Sequence, residues 1–354
     1  MWKRTICCII GLLTPFGANA GLFTEDVGGC LVVHVRGNST PENIRSWCEG
    51  KPPVRYPNGA SFHTLYSWAP APLAYAFSEA ERGVFGSQGG GGEVRITIYP
   101  DTLVNAGVNI DRTESSASGI DIKINSALLD FTEGIVAAYM LDILRDMHSS
   151  DALPGLGLRE WLEKVPNATA SNLQSWSAKW PGPSSTTLQW NLKYIRTPAH
   201  SVYTFIFAHE LSHIALRLPS VASPADESLS REIRVDAYGF DHIGVAGPNR
   251  TLMASRGELQ PTFVIAFLAA TAGFERTRND IIVRSAGGSA GQTVAGIFPS
   301  RNWSLRANAL IDRWVRDCAQ YQATAMCRSG FEVLVADARN LVGTASRLSE
   351  GWPH

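Results

Sequence analysis

His209-Glu210-Leu211-Ser212-His213 is the segment whose residue types and spacing could most directly do chemistry. On a helix, histidines four residues apart project from one face, one turn apart, and can hold a single cation together. Glu210, the next residue along, points towards the side of such an ion that is left open. There a carboxylate can take a proton from a zinc-activated water as it attacks a carbonyl, then pass the proton to the leaving amine. The zinc lowers the pKa of that water to about 7 and polarises the carbonyl. The pattern predicts one Zn2+ per chain, ligated by His209 and His213, with Glu210 as general base. The competing reading is a buried helix with two incidental histidines. Against it, Phe205, Ile206, Phe207, Ala208, Ile214 and Ala215 mark the helix as central, where polar side chains need a partner.

A catalytic zinc needs a third protein ligand and an open position. Two acidic groups follow in the sequence: Asp226 with Glu227 in an expected loop, and Glu232 with Asp236 on an expected helix. Glu232 is preferred, because a helix fixes a ligand better than a loop. Asp236, one turn later, can then accept a hydrogen bond from a zinc-bound imidazole and set its tautomer.

Together, FxxAHELSH and Glu232-Ile233-Arg234-Val235-Asp236-Ala237-Tyr238-Gly239 resemble the gluzincin metallopeptidases of the CAAX prenyl protease and heat-shock membrane protease type. In that family the HExxH helix is followed by one bearing ExxxDxxG, whose glutamate is the third zinc ligand. The resemblance implies a zincin-like α+β fold, mostly helical, with a small sheet carrying an edge strand near the active-site helix. Ile120-Asp121-Ile122-Lys123-Ile124 looks like that edge strand, which would pair with an extended substrate. Phe298-Pro299-Ser300 with Arg306 resembles a later Pro-Ser…Arg element, although Phe298 stands where the family has histidine. The residue that stabilises an oxyanion is open between Tyr238, His242 and Arg306, with His242 put forward as catalytic.

Other elements must position these residues. Cys30 to Val35, Val94 to Ile98 and Ile120 to Ile124 read as strands. Helical patterns cover Pro41 to Trp47, Leu73 to Arg82, Phe131 to Met147, Val202 to Leu218, Leu229 to Phe240, Pro261 to Thr271, Trp303 to Gln320 and Phe331 to Leu348. Residues 150–200, with Trp161, Trp176, Trp180 and Trp190 among Pro, Ser and Asn, read as an irregular insertion. Those tryptophans either cover apolar surface or line a substrate groove. The Gly89–Gly92 run lacks the Lys-Ser/Thr of a phosphate-binding loop and reads as a connector. The expected organisation is a signal peptide over 1–20, an N-terminal region of unassigned role over 21–117, and a catalytic region over 118–354.

The amino terminus carries Lys3 and Arg4, an apolar run from Ile6 to Leu13, and a small-x-small Ala18-Asn19-Ala20 site. It predicts export to the periplasm or the exterior, in preference to lipidation at Cys7, Cys8 or Cys30. In such a compartment the remaining cysteines are expected to pair locally, Cys30 with Cys48 and Cys318 with Cys327. The formal charge of −1 argues for no nucleic-acid partner. The most apolar later stretch, Phe263 to Gly273, is far short of the ~20 residues that cross a bilayer. The leading expectation is a zinc metalloendopeptidase acting on exported or extracellular polypeptides. A zinc-dependent amidase, a toxin-like effector and a non-catalytic zinc-containing binding protein are the alternatives. Glu210 counts against the last, since a structural site has no use for a base.

Overall fold

A computed structural model of the chain describes residues 22–51, 66–86, 92–100, 106–111, 119–148, 156–164, 185–217, 225–241, 260–286, 300–320 and 331–350. The N-terminal segment read as a signal lies outside them. The described chain is mostly helical with one small mixed sheet. The strands are β1 (Phe23–Val27), β2 (Cys30–Arg36), β3 (Val94–Tyr99), β4 (Ala106–Asp111) and β5 (Gly119–Asn125), in the order β1-β2-β3-β5-β4. Only β3 and β5 are parallel; the other neighbours are antiparallel.

Period-2 alternation decides which side of the sheet meets the core. Leu31 and Val33 of β2, Val94, Ile96 and Ile98 of β3, and Ile120, Ile122 and Ile124 of β5 all enter the main hydrophobic core. The opposite face is polar along its centre, where the Thr97 hydroxyl donates to Asp121 at 2.7 Å. Helix α1 (Glu42–Glu49) covers the β1–β2 side of that face through Ile44 and Cys48, which pack with Val27, Cys30 and Val32. A disulfide between Cys30 and Cys48, 18 residues apart, ties helix to strand. Closing a loop of that size stabilises the fold by about 3 kcal/mol. Cys318 is also disulfide-bonded; Cys327, its expected partner, lies outside the described residues.

The remaining helices are α2 (Pro70–Phe85), α3 (Ser126–His148), α4 (Leu158–Lys164), α5 (Ser185–Ala215), α6 (Ala225–Phe240), α7 (Gln260–Ala286), α8 (Ser300–Gln320) and α9 (Phe331–Glu350). Helix α5, which carries the histidine pair, packs against α2, α3, α6 and α7. Its buried residues Val202, Phe205, Phe207, Ala208 and Leu211 lie on several sides of the helix, as a central position demands. Among the described residues no helix is long and apolar enough to cross a membrane.

Two expectations are corrected. Strand β5 is interior, between β3 and β4, because its isoleucines and Asp121 are buried on both faces. The edge beside it is β4, a short segment with only two branched apolar residues, and β4 packs against α5. Residues 150–200 are not wholly irregular. Leu158, Trp161 and Leu162 have helical spacing and are fully buried, forming α4, with Trp161 against Phe131. Helix α5 begins at Ser185 and runs through Pro198, a residue that reads as a break when the sequence is taken alone. Trp176 and Trp180 lie outside the described residues, as do Gly89, Gly90 and Gly91. The sheet takes strands from both sides of the 117/118 position, β3 and β4 before it and β5 after it.

Candidate metal centre

Helix α6 reaches α5 through a stripe. Residues 232, 236 and 239 are spaced four and three apart, which places them on one helical face. Gly239 lies directly against the α5 backbone: a Cβ at this position would stand 3.1 Å from the Ala208 carbonyl carbon and 3.1 Å from the His209 nitrogen. Only a residue without a side chain allows that approach unstrained. On the same helix the buried Ser212 hydroxyl donates back to the Ala208 carbonyl at 2.5 Å. The close crossing brings Glu232 and Asp236 to His209.

The Nε2 atoms of His209 and His213 lie 3.3 Å apart. Glu232 faces both, with Oε2 at 3.4 Å from His209 Nε2 and Oε1 at 3.8 Å from His213 Nε2. One ligand atom from each residue falls within 4.8 Å of the others, a group that could hold a metal ion. Nitrogen and oxygen ligands ~2.0–2.1 Å from a small tetrahedral cation stand about 3.3–3.4 Å apart. The donor set therefore fits such an ion with little rearrangement. His213 and Glu232 each keep 26% of their side-chain surface exposed, against 12% for His209, so the group opens to solvent on the His213–Glu232 side.

His209 Nδ1 lies 2.8 Å from Asp236 Oδ1. An ionised carboxylate can only accept, so Nδ1 carries a proton and donates it, leaving Nε2 as the nitrogen that faces His213 and Glu232. Burial works against the charge on Asp236, but the Arg306 guanidinium and His209 outweigh it and hold the carboxyl at about 2. Arg306 of α8 makes a fork to that carboxylate, Nε donating to Oδ2 at 2.5 Å and one terminal nitrogen to Oδ1 at 2.8 Å. Its other terminal nitrogen, Nη1, is 3.8 Å from Glu232 Oε2. A second fork from Arg313 to Asp241 clamps the far end of α6 to α8.

Burial alone would lower the pKa of His209, yet the Asp236 and Glu232 carboxylates raise it to about 9. His213 is pushed down to about 4, by burial and then by the charge on His209. Burial also opposes the charge on Glu232, but His209 and Arg306 lower its pKa overall. In the metal-free protein at neutral pH, His209 thus carries a second proton, on Nε2, that a cation must displace, while His213 is already neutral. Metal affinity is expected to rise about tenfold per pH unit below pH ~9. Chelator competition between about pH 6 and 9 at fixed ionic strength checks this; a flat profile would show that His209 gives up no proton.

Glu210 is nearly buried, at 9% exposure, and its charge acts on Arg306. Tyr238 sits two residues beyond Asp236, hence across α6 from the ligand stripe, and packs against the main core. His242 lies outside the described residues. Asp226 and Glu227 fall in the first turn of α6, not in a loop, and their side chains lie outside the described set. Arg306, one of the three candidate oxyanion donors, makes its fork to Asp236 through Nε and one terminal nitrogen. Trp303, half-buried with its ring 4.2 Å from the Arg306 guanidinium, was not singled out from the sequence. Its spacing of three from Arg306 on an expected helix was the available signal. No protein-family model, curated protein or solved structure matches the chain.

Proposed function

We propose that the chain is a zinc-dependent metallopeptidase of gluzincin type that hydrolyses peptide bonds in exported or extracellular polypeptides. The observation that carries this reading is the convergence of His209 Nε2, His213 Nε2 and the Glu232 carboxylate on one point. When bound there, zinc supplies a Lewis acid that acidifies water and polarises a carbonyl.

The chain's own residues do the rest. Asp236 holds His209 in the tautomer that presents Nε2, and Arg306 keeps Asp236 ionised. Glu210, adjacent to His209 on α5, accepts a proton on its carboxylate from the attacking water and returns it to the leaving nitrogen. The donors are two nitrogens and a carboxylate with no thiolate, the set common to catalytic sites, and the described residues supply three ligands only. The His213–Glu232 side, where each side chain keeps 26% of its surface exposed, is the side from which water and substrate would approach. The buried Cys30–Cys48 disulfide fits a chain that folds outside a reducing compartment.

Titration of the metal-free protein with zinc tests the reading. One equivalent is expected to bind tightly, and none to His209→Ala or His213→Ala. A native parent protein that takes up no zinc would overturn the proposal.

A further inference from the structure

We propose that Trp303 is a positioning residue whose indole face fixes the Arg306 guanidinium against Asp236 and keeps water from that pair, and so sets how firmly the metal centre is held. In its metal-affinity consequence the inference rests on the reading above; in its structural consequence it does not.

The Arg306 guanidinium is held from several sides. Its Nε and one terminal nitrogen are bound to Asp236, and Nη1 is turned to Glu232 at 3.8 Å. One flat face is covered by the Trp303 ring, 4.2 Å from centroid to guanidinium carbon. Both residues belong to α8, three positions apart, so the stacking is made within one helix face and pre-orders Arg306 before it meets α6. Asp236 is fully buried and the Arg306 side chain 9% exposed, whereas Glu232 is 26% exposed. The water-accessible side of the centre is therefore the Glu232–His213 side, and Trp303 closes the Arg306 side. Trp303 is itself half-buried and packed against the main core, which fixes the ring.

Removing the ring gives the guanidinium rotamer freedom and lets water compete for the fork. The Asp236 carboxylate then holds His209 less firmly, and changes in groups that orient metal ligands typically lower affinity 10–100-fold. Admitting water also exposes the Arg306–Asp236 pair to salt, from which a buried pair is protected.

The test uses the full chain with 15N-labelled arginine and follows exchange of the Arg306 Nε–H with water by NMR, the signal being assigned with Arg306→Lys. Zinc affinity is read in parallel by chelator competition at low and high salt. The parent and Trp303→Phe are expected to show slow Nε–H exchange and a salt-independent affinity. Trp303→Ala is expected to show exchange at least tenfold faster and zinc affinity about tenfold weaker, with a new dependence on salt. Trp303→Leu keeps apolar bulk without a flat face and should resemble the alanine variant, so it serves if that variant does not fold. Parent-like exchange in both the Ala and Leu variants would overturn the inference. So would protection by leucine equal to that by phenylalanine. If the parent binds no zinc, the functional reading fails while Nε–H exchange still decides the role of Trp303.

Discussion

Glu210→Gln is expected to bind one equivalent of zinc as the parent does and to hydrolyse unfolded protein about 10²–10⁴ times more slowly, the usual contribution of a positioned general base. Glutamine is close to glutamate in size and still hydrogen-bonds, so the largely buried site at 9% exposure accommodates it without a cavity. What it lacks is a carboxylate to take a proton. Glu210 is not among the residues whose ligand atoms converge, so metal content should not change. Zinc stoichiometry and initial cleavage rates, measured on the same preparations, separate the two functions. Undiminished cleavage by the variant would remove Glu210 from the mechanism. Loss of zinc would instead make it a ligand.

Asp236→Ala carries the second large effect, on stability as well as on metal. The side chain is fully buried and serves two partners at once: the His209 imidazole at 2.8 Å and the Arg306 guanidinium through two bonds. Its removal strips the buried arginine of its two-bond partner and leaves only the looser contact to Glu232 at 3.8 Å, and breaking one half of a buried pair costs about 3–5 kcal/mol. His209 also loses the acceptor that fixes its tautomer, so zinc affinity should fall about 10–100-fold. Urea unfolding of the metal-free protein and chelator competition measure the two losses. Combining Asp236→Ala with Arg306→Leu removes the stranded charge. It should recover most of the stability and none of the affinity. Recovery of both would place the metal effect in the fold, not in the orientation of His209.

The parts of this site that were legible beforehand are those encoded by spacing within one helix. HExxH and ExxxDxxG are each local patterns, so His209, His213, Glu232 and Asp236 could be named, and so could the helices that carry them. Arg306 could not be given its role in the same way, because its partner Asp236 is 70 residues away and pairing at that distance leaves no periodicity. A buried aspartate does demand a counter-charge, but the sequence holds many arginines that could supply it. The sheet shows the same limit. Strands β3 and β5 have clear alternation and β2 opens on an apolar run, yet strand order depends on contacts between distant segments, and the alternation of β5 suits an edge or an interior position equally. Strand β4 and helix α4 are too short for their patterns to rise above the surrounding Pro, Ser and Asn.

A fragment beginning at residue 118 would contain both motif helices and still not be a working unit. It would begin with β5 stripped of both its neighbours, since β3 and β4 precede the cut. Every exposed peptide group along β5 would become a template for another chain. Helix α5 would lose its packing against α2, which also precedes residue 118. Dissection of this protein by truncation is thus expected to yield aggregation, and the two-thirds of the chain that hold His209, His213 and Glu232 depend for solubility on the third that precedes them.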